Sequence, residues 1–298
     1  MHVAQFEDRS GPFVGIREGK KWINYGKAER VMYMLRHGVV AAGTETIEDL
    51  FARGLFEPAL FREVLGYIRR ERLERFVSAS RDARLVAPLR SPRKIIALGL
   101  NYALHAKEGA LPVPDEPIIF MKAGSSVIGP DEPVRLPRGM GRMDHEVELA
   151  VVIGRKAVAV REKDAWGHVA GYTICNDISA RDIQTADLGK KHPWFRSKSF
   201  DTFTPLGPWI VTADEIRPPV HLDLECRVNG RIRQKANTRD LIFGIAEVIS
   251  WISRTITLDP GDVISTGTPE GIGPVKGGDL IVCRIQGIGE LRNPVRWR

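Results

Sequence analysis

The most informative segment of this 298-residue chain is Asp144-His145-Glu146-Val147-Glu148-Leu149-Ala150-Val151-Val152, an apolar run that begins with two glutamates. Alternate residues of a β-strand share a face, so Glu146 and Glu148 point the same way at the start of this predicted strand. Neighbouring carboxylates repel each other unless a positive charge lies between them, and Mg²⁺ and Mn²⁺ prefer oxygen ligands. The spacing alone leaves two interpretations open, a metal site or a strand face that meets solvent.

A second predicted strand supplies a third carboxylate. The apolar run Gly171–Cys175 leads into Asp177, and Arg181 and Gln184 follow on the next turn or helix. Asp177 is therefore a candidate metal ligand, with a helix N-cap as its alternative role, and Asp182 is the more structural of the two acids. Three protein oxygens on an octahedral Mg²⁺ would leave roughly three positions for water and a chelating substrate such as a 2-oxo acid.

A histidine and a glutamate form the second group of interest. If Tyr102–Glu108 is helical, His105 and Glu108 lie three residues apart on one face and can form a hydrogen bond. A carboxylate that orients an imidazole is the usual arrangement of a general base, although such a pair on a surface helix often has no role. Gly99 and Gly109 flank the segment and would let it move as a lid.

Two more segments carry polar groups. Lys198 lies within the aromatic-rich stretch Trp194–Phe203, where it is either a ligand for a substrate carboxylate or an exposed surface charge. Thr266–Gly273 resembles a phosphate-binding loop only superficially, because it lacks the Gly-Lys-Ser/Thr ending and leads into another strand. A tight glycine turn that offers N–H groups and a threonine hydroxyl to a carboxylate fits this segment better.

The part of the chain from residue 91 to residue 298 is predicted to be rich in β-structure. Short apolar runs recur between Gly/Pro turns, and the clearest helices are Ile242–Ser253 and the short segment at Tyr102–Glu108. Many short strands favour a β-rich barrel or folded sheet over alternating βαβ units. We therefore predict an α+β, β-rich domain at 91–298.

Residues 1–90 are predicted to form a small N-terminal α/β domain. Phe13–Tyr25 contains two short strands around a turn, and Thr46 is placed to cap a helix. A helical period then continues through the arginine cluster at residues 69–75, where glutamates alternate with arginines as on a solvated helix face. Prolines at 88 and 92 mark the predicted boundary.

Composition limits the possible functions. The chain has 44 Lys+Arg against 37 Asp+Glu, a net charge of +7, and 43% hydrophobic residues, which excludes disordered and collagen-like proteins. The positive charges are scattered, so we expect no nucleic-acid partner. Three distant cysteines give no zinc or redox spacing, and no signal peptide or membrane-spanning stretch is evident. We therefore expect a cytoplasmic protein without a membrane partner.

Together these segments resemble the fumarylacetoacetate hydrolase family from about Lys94 to Val295. No single motif is decisive, but five occur in family order, which makes a chance match very unlikely. They are Asn-Tyr-x-x-His-x-x-Glu (101–108), Glu-Val-Glu (146–148), Asn-Asp-Ile-Ser-Ala-Arg-Asp (176–182), Lys-Ser-Phe-Asp-Thr-Phe (198–203) and Gly-Asp-Val-Ile-Ser-Thr-Gly-Thr-Pro-Glu-Gly-Ile-Gly (261–273).

The resemblance implies a mixed β-sandwich roll, a homodimer, a small 2-oxo-acid substrate and a bound Mg²⁺ or Mn²⁺. It also implies a role for each matching residue. The metal ligands would be Glu146, Glu148 and Asp177; the dyad that activates water would be His105 and Glu108; and the substrate or oxyanion contacts would be Lys198, Arg181, Gln184 and Thr268.

The family includes acylpyruvate hydrolases and 2-hydroxyhepta-2,4-diene-1,7-dioate isomerases, and the resemblance implies an enzyme of this kind, of the type used in aromatic catabolism. We expect hydrolysis of the C–C bond of a 3-acylpyruvate, with the charge of the pyruvate enolate stabilised by the metal and Lys198. The alternatives at the same site are an oxaloacetate decarboxylase or tautomerase, a 5-carboxymethyl-2-hydroxymuconate-type isomerase and a sugar-acid dehydratase. An alternative of another class is a non-catalytic protein that binds an anion or nucleic acid.

Overall fold

The structure is a computed structural model that describes residues 1–40 and 42–298. Its β-strands are β1 (His2–Asp8), β2 (Gly11–Glu18), β3 (Lys21–Asn24), β4 (Arg84–Val86), β5 (Ile95–Gly99), β6 (Ile118–Lys122), β7 (Val127–Ile128), β8 (Val134–Leu136), β9 (Met143–His145), β10 (Val147–Ile153), β11 (Val169–Asn176), β12 (Ser179–Ala180), β13 (Thr204–Thr212), β14 (Asp223–Val228), β15 (Arg231–Asn237), β16 (Val263–Ser265), β17 (Gly273–Pro274), β18 (Leu280–Ile285) and β19 (Gly289–Trp297).

In the described residues the α-helices are fewer than the strands. They are α1 (Tyr25–His37), α2 (Ile47–Ala52), α3 (Pro58–Arg70), α4 (Glu74–Val77), α5 (Ala103–Glu108), α6 (Arg181–Gly189), α7 (Phe195–Lys198) and α8 (Ile245–Ser253). Short 3₁₀ turns occur at Gly124–Ser126, Glu162–His168 and Thr238–Asp240. Across the described residues, no helix has both the length and the apolar character needed to cross a membrane.

Three sheets organise the molecule. The largest has the strand order β3-β2-β1-β13-β11-β10-β16-β5-β6, with β4 beside β1 and β7 beside β13. A second sheet has the order β15-β14-β18-β19-β8, and a third joins β12, β9 and β17. Most pairs are antiparallel, whereas β16–β5, β13–β7 and β19–β8 are parallel. The predicted β-rich α+β class is confirmed.

Strand β10 is buried on both faces, which explains its continuous apolar sequence. Leu149 and Val151 belong to the core shared with α8, while Ala150 and Val152 belong to the core formed with residues 1–90. Glu148 shares the face of Ala150 and Val152, because side chains alternate along a strand. The apolar part of the strand fixes its register, and the glutamate at its start is carried into the interior with it.

Residues 1–90 add strands and helices to the edge of the largest sheet. Strand β1 pairs with β13, and α1 and α3 pack together over this part of the sheet. Phe61 of α3 is fully buried against Tyr25, with the ring centroids 5.2 Å apart. The predicted cap is confirmed: the Thr46 hydroxyl accepts a hydrogen bond from the Asp49 N–H at 3.0 Å, and the Asp49 carboxylate accepts one from the Thr46 N–H.

Two predicted helices have different bounds in the structure. Helix α3 ends at Arg70 instead of continuing through the arginine cluster, because Arg72 adopts a positive φ of 55° and turns the chain. Arg69 therefore pairs with Glu18 on β2 rather than with a glutamate one turn away. Helix α8 begins at Ile245, three residues later than predicted, because Asn101 draws the preceding backbone into its own hydrogen bonds.

Candidate active site

Three carboxylates meet where β10 begins and β11 ends. The two strands are antiparallel and pair Val147 with Asn176, so Glu146, just before β10, lies beside Asp177, just after β11. The Asp177 N–H donates to the Glu146 carbonyl at 2.8 Å. One oxygen from each of Glu146, Glu148 and Asp177 lies within 4.8 Å of the others, and all three side chains are buried. The strand pairing brings the carboxylates together in spite of their mutual repulsion.

Positive side chains surround two of these acids. The Lys198 ammonium donates to Glu146 Oε2 at 2.6 Å and to Asp177 Oδ2 at 2.7 Å. The Arg181 guanidinium also bonds Glu146. Burial alone would raise the pKa of Glu146, but the charges of Lys198 and Arg181 hold that pKa well below its usual range. Burial likewise opposes the charge on Lys198, yet Asp177 and Glu146 raise its pKa, so the lysine stays protonated.

Glu148 lies in a different environment from Glu146. Its Oε2 accepts hydrogen bonds from the Ser265 hydroxyl at 2.6 Å and from the Gly267 N–H at 2.9 Å. Burial, followed by the charges of Asp177 and Glu146, raises the pKa of Glu148 to about 8. A third negative charge is therefore unfavourable here unless a cation is shared among the carboxylates.

The residues present fit a hard divalent cation. Carboxylate oxygens are the donors that Mg²⁺ and Mn²⁺ select, and the three acids converge from two strands of one sheet. A dication between them would offset the repulsion that raises the pKa of Glu148. The donors on Glu148 Oε2 also fix the orientation of that carboxylate, as hydrogen-bonded neighbours of metal ligands commonly do.

The predicted glycine turn binds a carboxylate of the protein itself. Gly267 has a φ of +96°, and a side chain there would approach the Asn101 Cβ to 2.8 Å, so only glycine fits. Its N–H points to Glu148, and the Thr268 hydroxyl donates to the Val147 carbonyl at 2.9 Å. The turn therefore locks the start of β10, while Thr268 still lines the adjacent cavity.

His105 and Glu108 lie on α5, over the carboxylate cluster. His105 Nδ1 is 3.3 Å from Glu108 Oε2, and the Glu108 carboxylate also accepts the Gly271 N–H at 3.1 Å. The base of this segment is fixed by Asn101, whose side-chain amide donates to the carbonyls of Phe243 and Thr266. Helix α5 is thus attached at both ends, and His105 lines the same cavity as Glu146 and Glu148.

A cavity of about 340 Å³ connects these groups. Its charged and polar lining is grouped around the carboxylates, and the rest is apolar, including Leu111, Phe120, Leu188 and Trp194. The rings of Phe120 and Trp194 are in edge-to-face contact with centroids 5.4 Å apart. The cavity therefore combines a polar end, where a chelating acid group could bind, with an apolar wall for the remainder of a small ligand.

The residues predicted to contact substrate are partly engaged within the protein. Arg181 bonds Asp144 and Glu146 and also donates to the side-chain oxygen of Gln184. Thr268 accepts a hydrogen bond from the Gln234 side chain at 2.8 Å. Arg181, Gln184, Lys198 and Thr268 all line the cavity, so their positions agree with substrate contact. The ion pairs show in addition that Arg181 and Lys198 orient the acids.

Sequence reasoning missed three residues near the cluster. Lys122, at the end of β6, donates to Asp177 Oδ1 at 2.6 Å and is fully enclosed. Ser265 bonds Glu148, and Gln234 connects His145 to Thr268. A lysine that ends an otherwise apolar strand was the only signal for Lys122 in the sequence. Ser265 lies within the motif at 261–273, but its contact with Glu148 depends on the pairing of β16 with β10. Gln234 lies on β15 of another sheet and reaches the site through its side-chain hydrogen bonds, for which the sequence has no local pattern.

The fold and the site together identify the family. Residues 94–296 match the family model described as fumarylacetoacetate (FAA) hydrolase C-terminal. The chain therefore belongs to the fumarylacetoacetate hydrolase family, as the sequence motifs suggested.

Three relatives illustrate the range of the family. The mitochondrial oxaloacetate tautomerase fahd2 of Xenopus laevis is 48% identical over 218 residues, which cover 71% of this chain and 68% of the relative. The 5-carboxymethyl-2-hydroxymuconate delta-isomerase of Mycobacterium smegmatis has 35% identity, full coverage of both chains and a TM-score of 0.75. The maleylpyruvate hydrolase of Sphingobium sp. SYK-6, solved with manganese(II) and pyruvate, has 34% identity, coverage of 100% and 99%, and a TM-score of 0.75.

Proposed function

We propose that the protein is a divalent-metal-dependent enzyme that interconverts the enol and keto forms of a short 2-oxo acid, with oxaloacetate as the substrate. The observation that carries the proposal is the cavity, which is lined by a carboxylate-oriented histidine, a buried ammonium group and two carboxylates, Glu146 and Glu148, that converge with Asp177. The reaction moves one proton between C3 and the oxygen on C2. One group beside a fixed 2-oxo acid that takes the proton from one of these atoms and delivers it to the other suffices for it.

Glu146, Glu148 and Asp177 would hold the cation. When bound, Mg²⁺ or Mn²⁺ would supply Lewis-acid polarisation of the 2-oxo group, which makes the C3 proton more acidic. Lys198 adds a protonated ammonium that reaches the same cluster and can stabilise negative charge on a substrate oxygen.

His105 is the group proposed to move the proton. Glu108 engages Nδ1 of the imidazole, which leaves Nε2 to take a proton from C3 of the keto form and deliver it to the oxygen on C2, or to carry it in the reverse direction. The Glu108 carboxylate stabilises the imidazolium that forms and is itself held by the Gly271 N–H. The apolar wall around Trp194 limits water around the substrate and strengthens these charge interactions.

The wider similarity supports the same reaction. The tautomerase fahd2 of Xenopus laevis shares 48% identity over 218 residues, which cover 71% of this chain. The isomerase and the hydrolase share the fold at lower identity. Tautomerisation is thus the activity we place first.

Hydrolysis of a 3-acylpyruvate is the second candidate, because the His105–Glu108 pair can serve it as well. The same imidazole could take a proton from water, and the resulting hydroxide would attack the distal carbonyl carbon. The C3–C4 bond would then break to give a carboxylic acid and the enolate of pyruvate, which Lys198 can stabilise before it is protonated at C3. The maleylpyruvate hydrolase solved with manganese and pyruvate supports this second candidate.

The test is an absorbance assay that follows the loss of enol. Enol-oxaloacetate, acetylpyruvate and fumarylpyruvate are each mixed with the protein in Mn²⁺, Mg²⁺ or EDTA, with pyruvate release measured in parallel. The variants are His105→Ala and Lys107→Ala, the second an exposed residue of the same helix. We expect acceleration of oxaloacetate tautomerisation that EDTA abolishes, that His105→Ala lowers by roughly 10²-fold or more, and that Lys107→Ala leaves unchanged.

Other results separate the candidates. Metal-dependent release of pyruvate from an acylpyruvate, with no effect on oxaloacetate, would replace tautomerisation by hydrolysis. Inactivity on the whole panel with Mn²⁺ bound would overturn both activities and keep the metal centre. Failure to bind Mn²⁺ or Mg²⁺ at millimolar concentration would overturn the centre itself.

A further inference from the structure

Two buried lysines bond the same carboxylate from opposite sides. Lys122 donates to Asp177 Oδ1 at 2.6 Å, and Lys198 donates to Asp177 Oδ2 at 2.7 Å. The Lys122 ammonium also donates to the backbone carbonyl of Lys198. Strand β6, the Asp177 segment and helix α7 are therefore tied together at one point.

The two lysines differ in what surrounds them. The Lys122 side chain is completely enclosed and does not line the cavity. Its ammonium therefore keeps its bonds to Asp177 and to the backbone carbonyl when the contents of the cavity change. Lys198 lines the cavity, and its ammonium lies 5.2 Å from the centroid of the Phe120 ring. A change in the cavity can redirect Lys198, but it cannot reach Lys122.

Two of the three carboxylates proposed for the cation bind Lys198. Lys198 holds Glu146 Oε2 and Asp177 Oδ2 together, and both acids belong to the cluster within 4.8 Å. A dication that uses these carboxylates competes with the ammonium for their charge, whereas Lys122 bonds only one of the three acids, at the other oxygen of Asp177. The two lysines should therefore affect cation affinity in opposite directions.

We infer that Lys122 is a positioning residue that fixes Asp177 and the backbone at Lys198 in the orientation that the cation needs. Lys198 instead competes with the cation and turns to the substrate when the cation binds. The inference rests on the metal centre of the proposed function, but not on which reaction the enzyme catalyses. Loss of Lys122 leaves Asp177 Oδ1 without its ammonium partner and frees the carboxylate to rotate, which weakens a ligand set that depends on orientation.

The test compares Lys122→Met with Lys198→Met, because each removes one buried ammonium from Asp177. Mn²⁺ dissociation constants are measured by the loss of the free-ion EPR signal, and folding is checked by circular dichroism and thermal unfolding. We expect Lys122→Met to weaken Mn²⁺ binding by roughly 10- to 100-fold. We expect Lys198→Met to bind Mn²⁺ at least as tightly as the unaltered protein.

Activity provides a second readout. Turnover by Lys122→Met should recover when Mn²⁺ is raised to saturation, because the defect is in cation affinity. Turnover by Lys198→Met should stay low at every Mn²⁺ concentration, because the missing ammonium acts on the substrate. Should Lys122→Met fail to fold, Lys122→Gln replaces it, since its amide can still donate to Asp177 Oδ1; a smaller loss of affinity is then expected.

Three results would overturn the inference. A Lys122 variant that folds and binds Mn²⁺ as tightly as the unaltered protein would show that Lys122 does not position the ligand set. Equal weakening by both methionine variants would show that Lys198, like Lys122, positions the acids and does not compete with the cation. Weaker binding by Lys198→Met alone would reverse the assigned roles. Absence of Mn²⁺ binding by the unaltered protein would instead refute the metal centre, and with it the proposed function.

Discussion

Charged side chains are used in opposite ways in the two regions of this molecule. Around residues 1–90, arginines form ion pairs at the surface, such as Arg69 with Glu18 and Arg36 with Glu63. At the carboxylate cluster, Lys122 and Lys198 are enclosed, and Arg181 is largely buried, with the acids that they bond. Solvent screens the surface ion pairs and barely reaches the buried ones. Pairs with similar distances therefore differ strongly in interaction energy.

The two regions also differ in what their interiors contain. The N-terminal region is stabilised by apolar and aromatic packing, such as Phe61 against Tyr25 and Phe56. The carboxylate end of β10 instead places polar groups in the interior and needs matched partners for each of them. The N-terminal region therefore contributes stability through packing, whereas the buried charges of the carboxylate cluster lower the stability of the fold unless each has a partner.

Glu148→Gln should have the largest effect. The amide keeps the shape of the side chain and an acceptor for Ser265 and Gly267, but it removes one negative ligand. We expect turnover to fall by about 10³-fold or more, which is roughly 4 kcal/mol, and Mn²⁺ binding to be lost at micromolar concentration. Steady-state kinetics and EPR titration measure this, with Glu63→Gln at the surface as the matched control. Full activity and affinity in Glu148→Gln would contradict the ligand assignment.

Phe61→Ala should affect stability and leave the site intact. Phe61 is fully buried, so its truncation removes aromatic contacts and leaves a cavity. We expect the free energy of unfolding to fall by about 3 kcal/mol, measured by urea denaturation, with unchanged Mn²⁺ affinity in the folded protein. Phe76→Ala, at an exposed phenylalanine in the same region, is the control. Loss of metal binding in folded Phe61→Ala would show that the two regions are not separable in this way.

Glu108→Gln should have a smaller effect, limited to proton transfer. The amide can still bond His105 and Gly271 but cannot stabilise an imidazolium by its charge. We expect turnover to fall by roughly 10- to 100-fold with Mn²⁺ affinity unchanged. Kinetics at saturating metal test this, and Glu116→Gln in the following exposed loop is the control. A variant with unaltered turnover would remove Glu108 from the proposed mechanism.

Arg69→Ala should have the smallest effect. The arginine is exposed, and its pair with Glu18 is screened by water and salt. We expect the urea midpoint of unfolding and the turnover number to match those of the unaltered protein. A clear loss of stability would mean that the surface pairs of residues 1–90 act as a network, and the contrast with the buried pairs would be weaker than described.

Local patterns predicted the elements that interact with their own neighbours in sequence. The apolar run that ends at Val152 predicted the strand, and Thr46 marked the start of α2. The prediction for α3 was too long, because the turn at Arg72 and the pairing of Arg69 with β2 have no signature in the helical period. The late start of α8 was hidden for the same reason, since Asn101 bonds Phe243 from 142 residues away.

The cytoplasmic location, the homodimer and the boundary near residue 90 stay predictions. The family match begins at residue 94, while β1 pairs with β13 across that position. The strands of residues 1–90 thus continue the sheet that holds the carboxylates. The sequence did not indicate this, because its pattern changes to short apolar runs after residue 91.

The sequence by itself determined the family, the β-rich class and the residue types of the site, because motif order, strand alternation and carboxylate spacing are local properties of the chain. The tertiary structure alone decided which charges meet. Lys122, Asp177 and Lys198 come from segments as far as 76 residues apart, and only the pairing and packing of β6, β11 and α7 bring them into contact. Burial then gives those contacts their strength, because the Coulomb energy of a pair depends on the surrounding dielectric, which no sequence pattern encodes.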